Sequence, residues 1–226
     1  MVYKKSLKNI VEELGTQIEN VSSNFSDIKE RIPTVQVIPW IKEWKTNPFI
    51  IGEETIKDIR NKLQQKLKDI LDDTYLFLQK KSSGDIVFSS WSLEEYEISK
   101  GDLNPQGIIL AAQREFKEEM YGLLTIDQDN IVDLYPPIDF ETVKWNKYIQ
   151  FRLLVQILPD DVREIEKRFV DEMKSIARKY QEHDTCYIAS YEQAKKYVDE
   201  GKRIIKPSTS LSLEYHNICK RHWKYS

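Results

Sequence analysis

The chain has 226 residues, 40% hydrophobic and 31% charged, which supports a soluble globular protein of one domain, or one domain plus an extension. Its 34 Lys+Arg against 37 Asp+Glu give a net charge of −3, so no general electrostatic grip on nucleic acid is implied, although a local basic patch stays open. Cys186 and Cys219 lack metal-type spacing, so neither a disulfide framework nor a zinc site is suggested, and no run of about 18 apolar residues offers a membrane span.

The start, Met-Val-Tyr-Lys-Lys, runs into polar residues rather than an apolar signal core, so the cytoplasm is the expected compartment. Val2, Leu7, Ile10, Val11, Leu14, Ile18 and Val21 form one apolar stripe and predict a helix over 2–21. Residues 22–33 read as a linker. Residues 35–41 are apolar but interrupted by Pro39, which predicts an edge strand or extended segment rather than a central strand. Ile56, Ile59, Leu63, Leu67, Ile70 and Leu71 share a face and predict an amphipathic helix over 53–71.

The pattern changes at Asp72. Residues 74–79 and 86–91 read as the strands of a hairpin around a turn at 80–85. Residues 92–107 read as a loop broken by Gly101, Pro105 and Gly107, and 108–121 as a helix closed by Gly122. A strand within 123–134, a loop at Pro136-Pro137, an apolar strand over 147–158 and a charged helix within 159–181 follow. A strand at 185–190, a helix at 191–200 and a final helix at 210–221 complete the chain. This alternation predicts an α/β (α+β) fold, a mixed sheet sandwiched between helices. The expected organisation is a helical N-terminal extension over 1–71, packed on or swapped from a domain over 72–226, with its helices also suited to a homodimer contact.

On the 108–121 helix, Ile109, Ala112, Phe116 and Met120 should face the core. Glu115, Glu118 and Glu119, at i, i+3 and i+4, gather on another face. Their mutual repulsion can be relieved by water, by Arg114 and Lys117, or by a divalent cation. Oxygen-only clusters suit Mg²⁺ or Mn²⁺, and such an ion can neutralise a pyrophosphate and activate a water. A solvated acidic face is the commoner fate of such spacing.

The sequence Arg114-Glu115-Phe116-Lys117-Glu118-Glu119 resembles the core R-E-U-x-E-E of the Nudix box, G-x5-E-x7-R-E-U-x-E-E-x-G-U, at all five specified positions. Upstream, residues 97–107 are similar to the family's loop E-L-P-K-G-G-x-E-P-G-E, and residues 189–210 to a late family segment. The resemblance covers roughly 72–220, with its box at 101–122. It implies that Glu115, Glu118 and Glu119 are metal ligands, that Arg114 orients a carboxylate, and that the cofactor is Mg²⁺ (or Mn²⁺). The departures lie at both ends. The first box Gly falls on Lys100, its first Glu on Gln106 (or Gly107), and the closing Gly arrives one residue late, at Gly122 after Tyr121.

Elsewhere, Glu182, His183 and Asp184 are candidates for a general base from a later loop, against a bland surface cluster, and Glu141 is a weaker one. Arg152, in a strand with alternating apolar neighbours, is the expected substrate-binding residue, with Lys144 and Lys147 as further phosphate contacts. Trp40, Trp44, Trp91 and Trp145 could stack a nucleobase, although core packing is the usual role of tryptophan. His216 and His222 are expected to face solvent. Lys202, Arg203, Lys206, Lys220 and Arg221 read as a solvated basic cluster. The resulting expectation is a Mg²⁺-dependent hydrolase of a nucleoside diphosphate linked to another moiety, acting on a small nucleotide-type substrate. The alternative is a weak or inactive module binding a nucleotide, RNA or protein partner. A third reading, an RNA-directed enzyme, gains little from the near-neutral charge.

Overall fold

The computed structural model describes residues 4–24, 31–41, 73–93, 103–141, 147–162, 164–177, 180–195 and 204–223. The expected helix over 53–71, and with it Trp44, Lys144, Trp145, Lys202 and Arg203, lies outside the described residues. In chain order the main elements are α1 (Leu7–Asn24), β1 (Arg31–Ile41), β2 (Thr74–Lys80), β3 (Ile86–Val87), β4 (Ser90–Ser92) and α2 (Pro105–Glu119). They are followed by β5 (Ile131–Glu141), β6 (Lys147–Ile157), α3 (Ile165–Ser175), β7 (His183–Ser190) and α4 (Pro207–Trp223).

The described strands form one seven-stranded mixed sheet. β6 lies between β5, antiparallel, and β1, parallel. The other edge of β1 is shared by β4 and β2, both antiparallel, and β7 pairs with the far edge of β2. Successive strand residues point to opposite faces. Val35, Val37, Phe151, Leu153 and Val155 accordingly join one core with Ile10 and Leu14 of α1, Ile108 and Phe116 of α2, and Phe169 of α3. Ile38, Trp40, Tyr75, Phe77 and Leu154 pack in a second core with Leu213 of α4. This is the mixed sheet between helices that strand–helix alternation predicts. Among the described residues, no helix is long and apolar enough to cross a membrane.

The first 71 residues do more than form a helical extension. β1 is a central strand, not the edge strand that Pro39 suggests, and it pairs with β6 from Arg31↔Lys147 to Ile41↔Ile157. The reason is parity. Val37 donates its N–H to Ser89 on the β4 side, at 2.9 Å. Alternate residues of a strand point their N–H groups the same way, so Pro33 and Pro39 also turn their donor-less nitrogens toward that side. Pro39 falls where β1 passes from its pairs with β4 (34–36) to those with β2 (40–41), so no donor is missing from the β6 ladder. The apolar stripe of α1 is buried on the sheet and α2 of its own chain, through Ile10, Leu14, Ile18 and Val21.

Three further segments depart from expectation for local reasons. Pro105 begins α2 rather than breaking a loop, because the first helical position needs no N–H, and the Asn104 side chain accepts from Gly107 N at 2.8 Å as the N-cap. Pro136 and Pro137 sit inside β5 at a register shift between Tyr135 and Ile138, where the ladder is already interrupted. His216 is fully buried rather than solvent-facing. Its ring contacts the Tyr135 hydroxyl through Nδ1 and Asp73 Oδ2 through Nε2, the latter at 3.1 Å.

Candidate active site

The last turn of α2 and the start of β7 meet at a cleft of about 910 Å³. α2 brings Arg114, Glu115, Glu118 and Glu119 to it, and β7 with the residue before it brings His183 and Glu182. Helical spacing then sorts the carboxylates. Glu115 and Glu119 are 4% and 7% exposed, whereas the Glu118 side chain is 61% exposed. Arg114 Nη1 bridges two of them, donating to Glu115 Oε1 and, at 3.3 Å, to Glu118 Oε2. Glu119 has no such ion pair among the described residues. Among the same residues its buried Oε2 has no hydrogen-bond partner, and the neighbouring Ser89 hydroxyl makes no hydrogen bond of standard geometry either. Burial pushes the Glu119 carboxyl up to about 8, and repulsion from Glu115 and Glu182 adds to this, while Ser89 and Lys80 pull the other way.

His183 is 0% exposed, and among the described residues neither ring nitrogen has a hydrogen-bond partner. Burial, with Lys80 and Lys206, pushes its imidazole down to about 4, so it is neutral at pH 7. One ligand atom each from Glu119, Glu182 and His183 lies within 4.8 Å of the others. Sixty-odd residues separate α2 from β7, and the register Lys80↔His183 between β2 and β7 closes that distance.

Tyr121 locks the two elements together. α2 ends in a Schellman motif, with Tyr121 N donating to Glu118 O at 2.9 Å and Gly122 N to Lys117 O at 2.8 Å. Tyr121 occupies the position that the Nudix box gives to Gly, and it takes the left-handed conformation required there, φ 53°. For a residue with a Cβ this costs about 1–2 kcal/mol. In return its hydroxyl donates to His183 O at 2.8 Å and accepts from His183 N at 3.2 Å, and its ring lies 4.9 Å from that of Phe169. Tyr121→Phe keeps the ring and loses both bonds. It is expected to lower stability by about 1–2 kcal/mol and to leave the His183 amide less protected, read by thermal melting and hydrogen exchange. Unchanged exchange at His183 would refute the lock.

Two of the other candidates fall elsewhere. Arg152 does not line this cleft. On the opposite face of the sheet it donates to Pro136 O, 2.8 Å from Nε and 2.6 Å from Nη2, and to Ser212 Oγ at 3.2 Å, between the rings of Tyr135 and Tyr215. Trp40 is buried and donates to Asp73 Oδ1 at 3.1 Å. Trp91 is 48% exposed and lines the cleft beside Tyr180, which sequence reasoning did not single out.

The residues present fit a divalent cation. Among the described residues, a buried, unpartnered carboxylate oxygen and a buried, unpartnered imidazole share a pocket with three further carboxylates, all donors to such an ion.

No protein-family model and no curated protein matches the chain. Solved structures similar to it include Nudix proteins, the family that the box resembles. A MutT/nudix family protein from Enterococcus faecalis is 16% identical over 56% of this chain, at a TM-score of 0.34, and the chain spans only 37% of that protein. A NUDIX hydrolase from Alicyclobacillus acidocaldarius is 9% identical over 81% of this chain and 90% of its own, at 0.49. The NUDIX domain of Shewanella oneidensis NrtR, complexed with ADP ribose, is 6% identical over 88% and 96%, at 0.44.

Proposed function

We propose that the chain hydrolyses the pyrophosphate of a nucleoside diphosphate linked to another moiety, using a divalent cation at the cleft. The observation that carries this reading is Glu119: a buried carboxyl with an unpartnered oxygen beside Glu115, with Glu118 on the cleft rim. Such a group is costly to keep unless a ligand ionises it. Glu115, Glu118 and Glu119 would hold Mg²⁺ or Mn²⁺, and the ion would supply charge neutralisation of the diphosphate and a more acidic water. Arg114 fixes the Glu115 carboxylate and steadies Glu118. Glu182, exposed at the rim within the 4.8 Å group, accepts the proton as water attacks phosphorus. Lys117, also exposed on the cleft, offers its ammonium to the leaving phosphate, and Trp91 offers an open ring face to a nucleobase.

Gln106 favours a second reading, a module that binds a nucleotide and cleaves it weakly or not at all. It stands on the first turn of α2 at the place of the box's first carboxylate. A screen of nucleoside diphosphate derivatives with Mg²⁺ and with Mn²⁺, reading phosphate release after phosphatase treatment, separates the two. Release that depends on the ion supports the hydrolase. Binding without release supports the module, and neither binding nor release refutes both.

A further inference from the structure

A buried imidazole with neither nitrogen bonded is costly to keep, because both its donor and its acceptor have lost water without gaining a partner. His183 is such a residue, and it is fully enclosed. The wall of the cleft holds a second orphan, Glu119 Oε2, contributed by a different element. The two meet in one group with Glu182, every ligand atom within 4.8 Å of the others. Ligands of a single ion, each about 2.0–2.2 Å from it, stand about 3–4 Å apart, so the group is close to the size of one coordination sphere. The hydroxyl of Tyr121 holds both backbone polar groups of His183, and so fixes the residue against the end of the helix that carries Glu119.

We infer that His183 supplies an imidazole nitrogen to the ion held by Glu119, making the site a mixed nitrogen–oxygen one that selects first-row transition ions over Mg²⁺. This rests on the proposed divalent-cation site and deepens it. Carboxylates alone suit Mg²⁺, Ca²⁺ and Mn²⁺, whereas imidazole strengthens binding along the series Mn²⁺, Fe²⁺, Co²⁺, Ni²⁺ and adds little for Mg²⁺. The box residues of α2 give no nitrogen, so the selectivity comes from β7. Glu182, the exposed member of the group, would keep its role as proton acceptor.

The test uses the intact chain with Mn²⁺, Co²⁺ and Mg²⁺ alone. Pulsed EPR of the Mn²⁺-loaded wild type is expected to show a ¹⁴N coupling from a bound imidazole. That coupling should vanish in His183→Gln. Co²⁺ is expected to bind at least about a hundredfold more tightly than Mg²⁺, and His183→Gln to reduce the ratio about tenfold or more with Mg²⁺ affinity unchanged. Bound Mn²⁺ without ¹⁴N coupling overturns the inference and leaves the divalent-cation reading standing. Coupling that persists in Glu119→Gln places His183 on a different ion and also overturns it. A wild type that binds none of the three ions overturns both readings. The ¹⁴N signal is read on the wild type, so a variant that fails to fold does not remove the test.

Discussion

Glu119→Gln is expected to lower turnover on any pyrophosphate substrate by at least about a hundredfold, on the order of 3 kcal/mol in the barrier, while the protein stays folded. The substitution keeps shape and removes charge at the buried carboxyl of the site, whose Oε2 has no hydrogen-bond partner among the described residues. Packing is untouched, because Ile109, Ala112, Phe116 and Met120 carry the apolar face of α2. Stability without metal should move the other way. The folded-state pKa of Glu119, about 8, lies above its ordinary 4.5. The fold therefore holds a proton that the unfolded chain gives up, and this contribution is complete below pH 4.5 and lost as the pH rises through 8. Gln imitates the protonated form at every pH. With chelator present, the variant should melt with the wild type near pH 5 and above it at pH 8. Added Mn²⁺ should raise the wild-type melting temperature at pH 8 and leave that of the variant unmoved. Equal turnover by the two proteins would show that the carboxylate cluster is not the catalytic site.

The sequence made some of this site readable and concealed the rest. The helix with its three carboxylates was readable because the i, i+3, i+4 rule acts within fifteen residues, and the resemblance to the box falls on the same stretch. Its C-terminal departure was readable as a misplaced Gly. That Tyr121 itself takes the left-handed position, and reaches His183 in doing so, depends on a strand 62 residues away. Glu182 and His183 had the right chemistry but no periodic signal, since they meet Glu119 through tertiary contacts, with β7 paired to β2 and His183 bonded to the Tyr121 hydroxyl. The alternation around Arg152 suggests a face that lines the pocket, but that face is covered by α4, through Ser212 and Tyr215, because the pattern of one strand does not say which element packs on it. His216 was hidden for a similar reason: one of its partners, Asp73, lies 143 residues earlier. The rule that keeps proline out of central strands failed for β1 because it ignores which side each nitrogen faces.

A chain beginning at residue 72 is expected not to fold, although the sequence pattern changes there and strand–helix alternation begins there. Such a chain lacks β1, and β6 would be left with an open edge along eleven paired residues. It would also lose Val35, Val37, Ile38, Trp40 and Ile41, each nearly fully buried. At about 1.5–3 kcal/mol for each large apolar side chain, that loss is on the order of 10 kcal/mol, comparable with the whole stability of a typical domain. Loss of α1 would uncover the sheet face and α2 as well, since Ile10, Leu14 and Ile18 fill the same core as Ile108 and Phe116. Carboxylates on an unsupported α2 would no longer meet His183. The truncated chain should therefore show no cooperative melt and no tight Mn²⁺ binding, and residues 1–71 supplied as a separate fragment should restore both by filling the gap between β6 and the β2–β4 side. A 72–226 chain that melts cooperatively and binds Mn²⁺ as the full chain does would show instead that the first 71 residues are a dispensable extension.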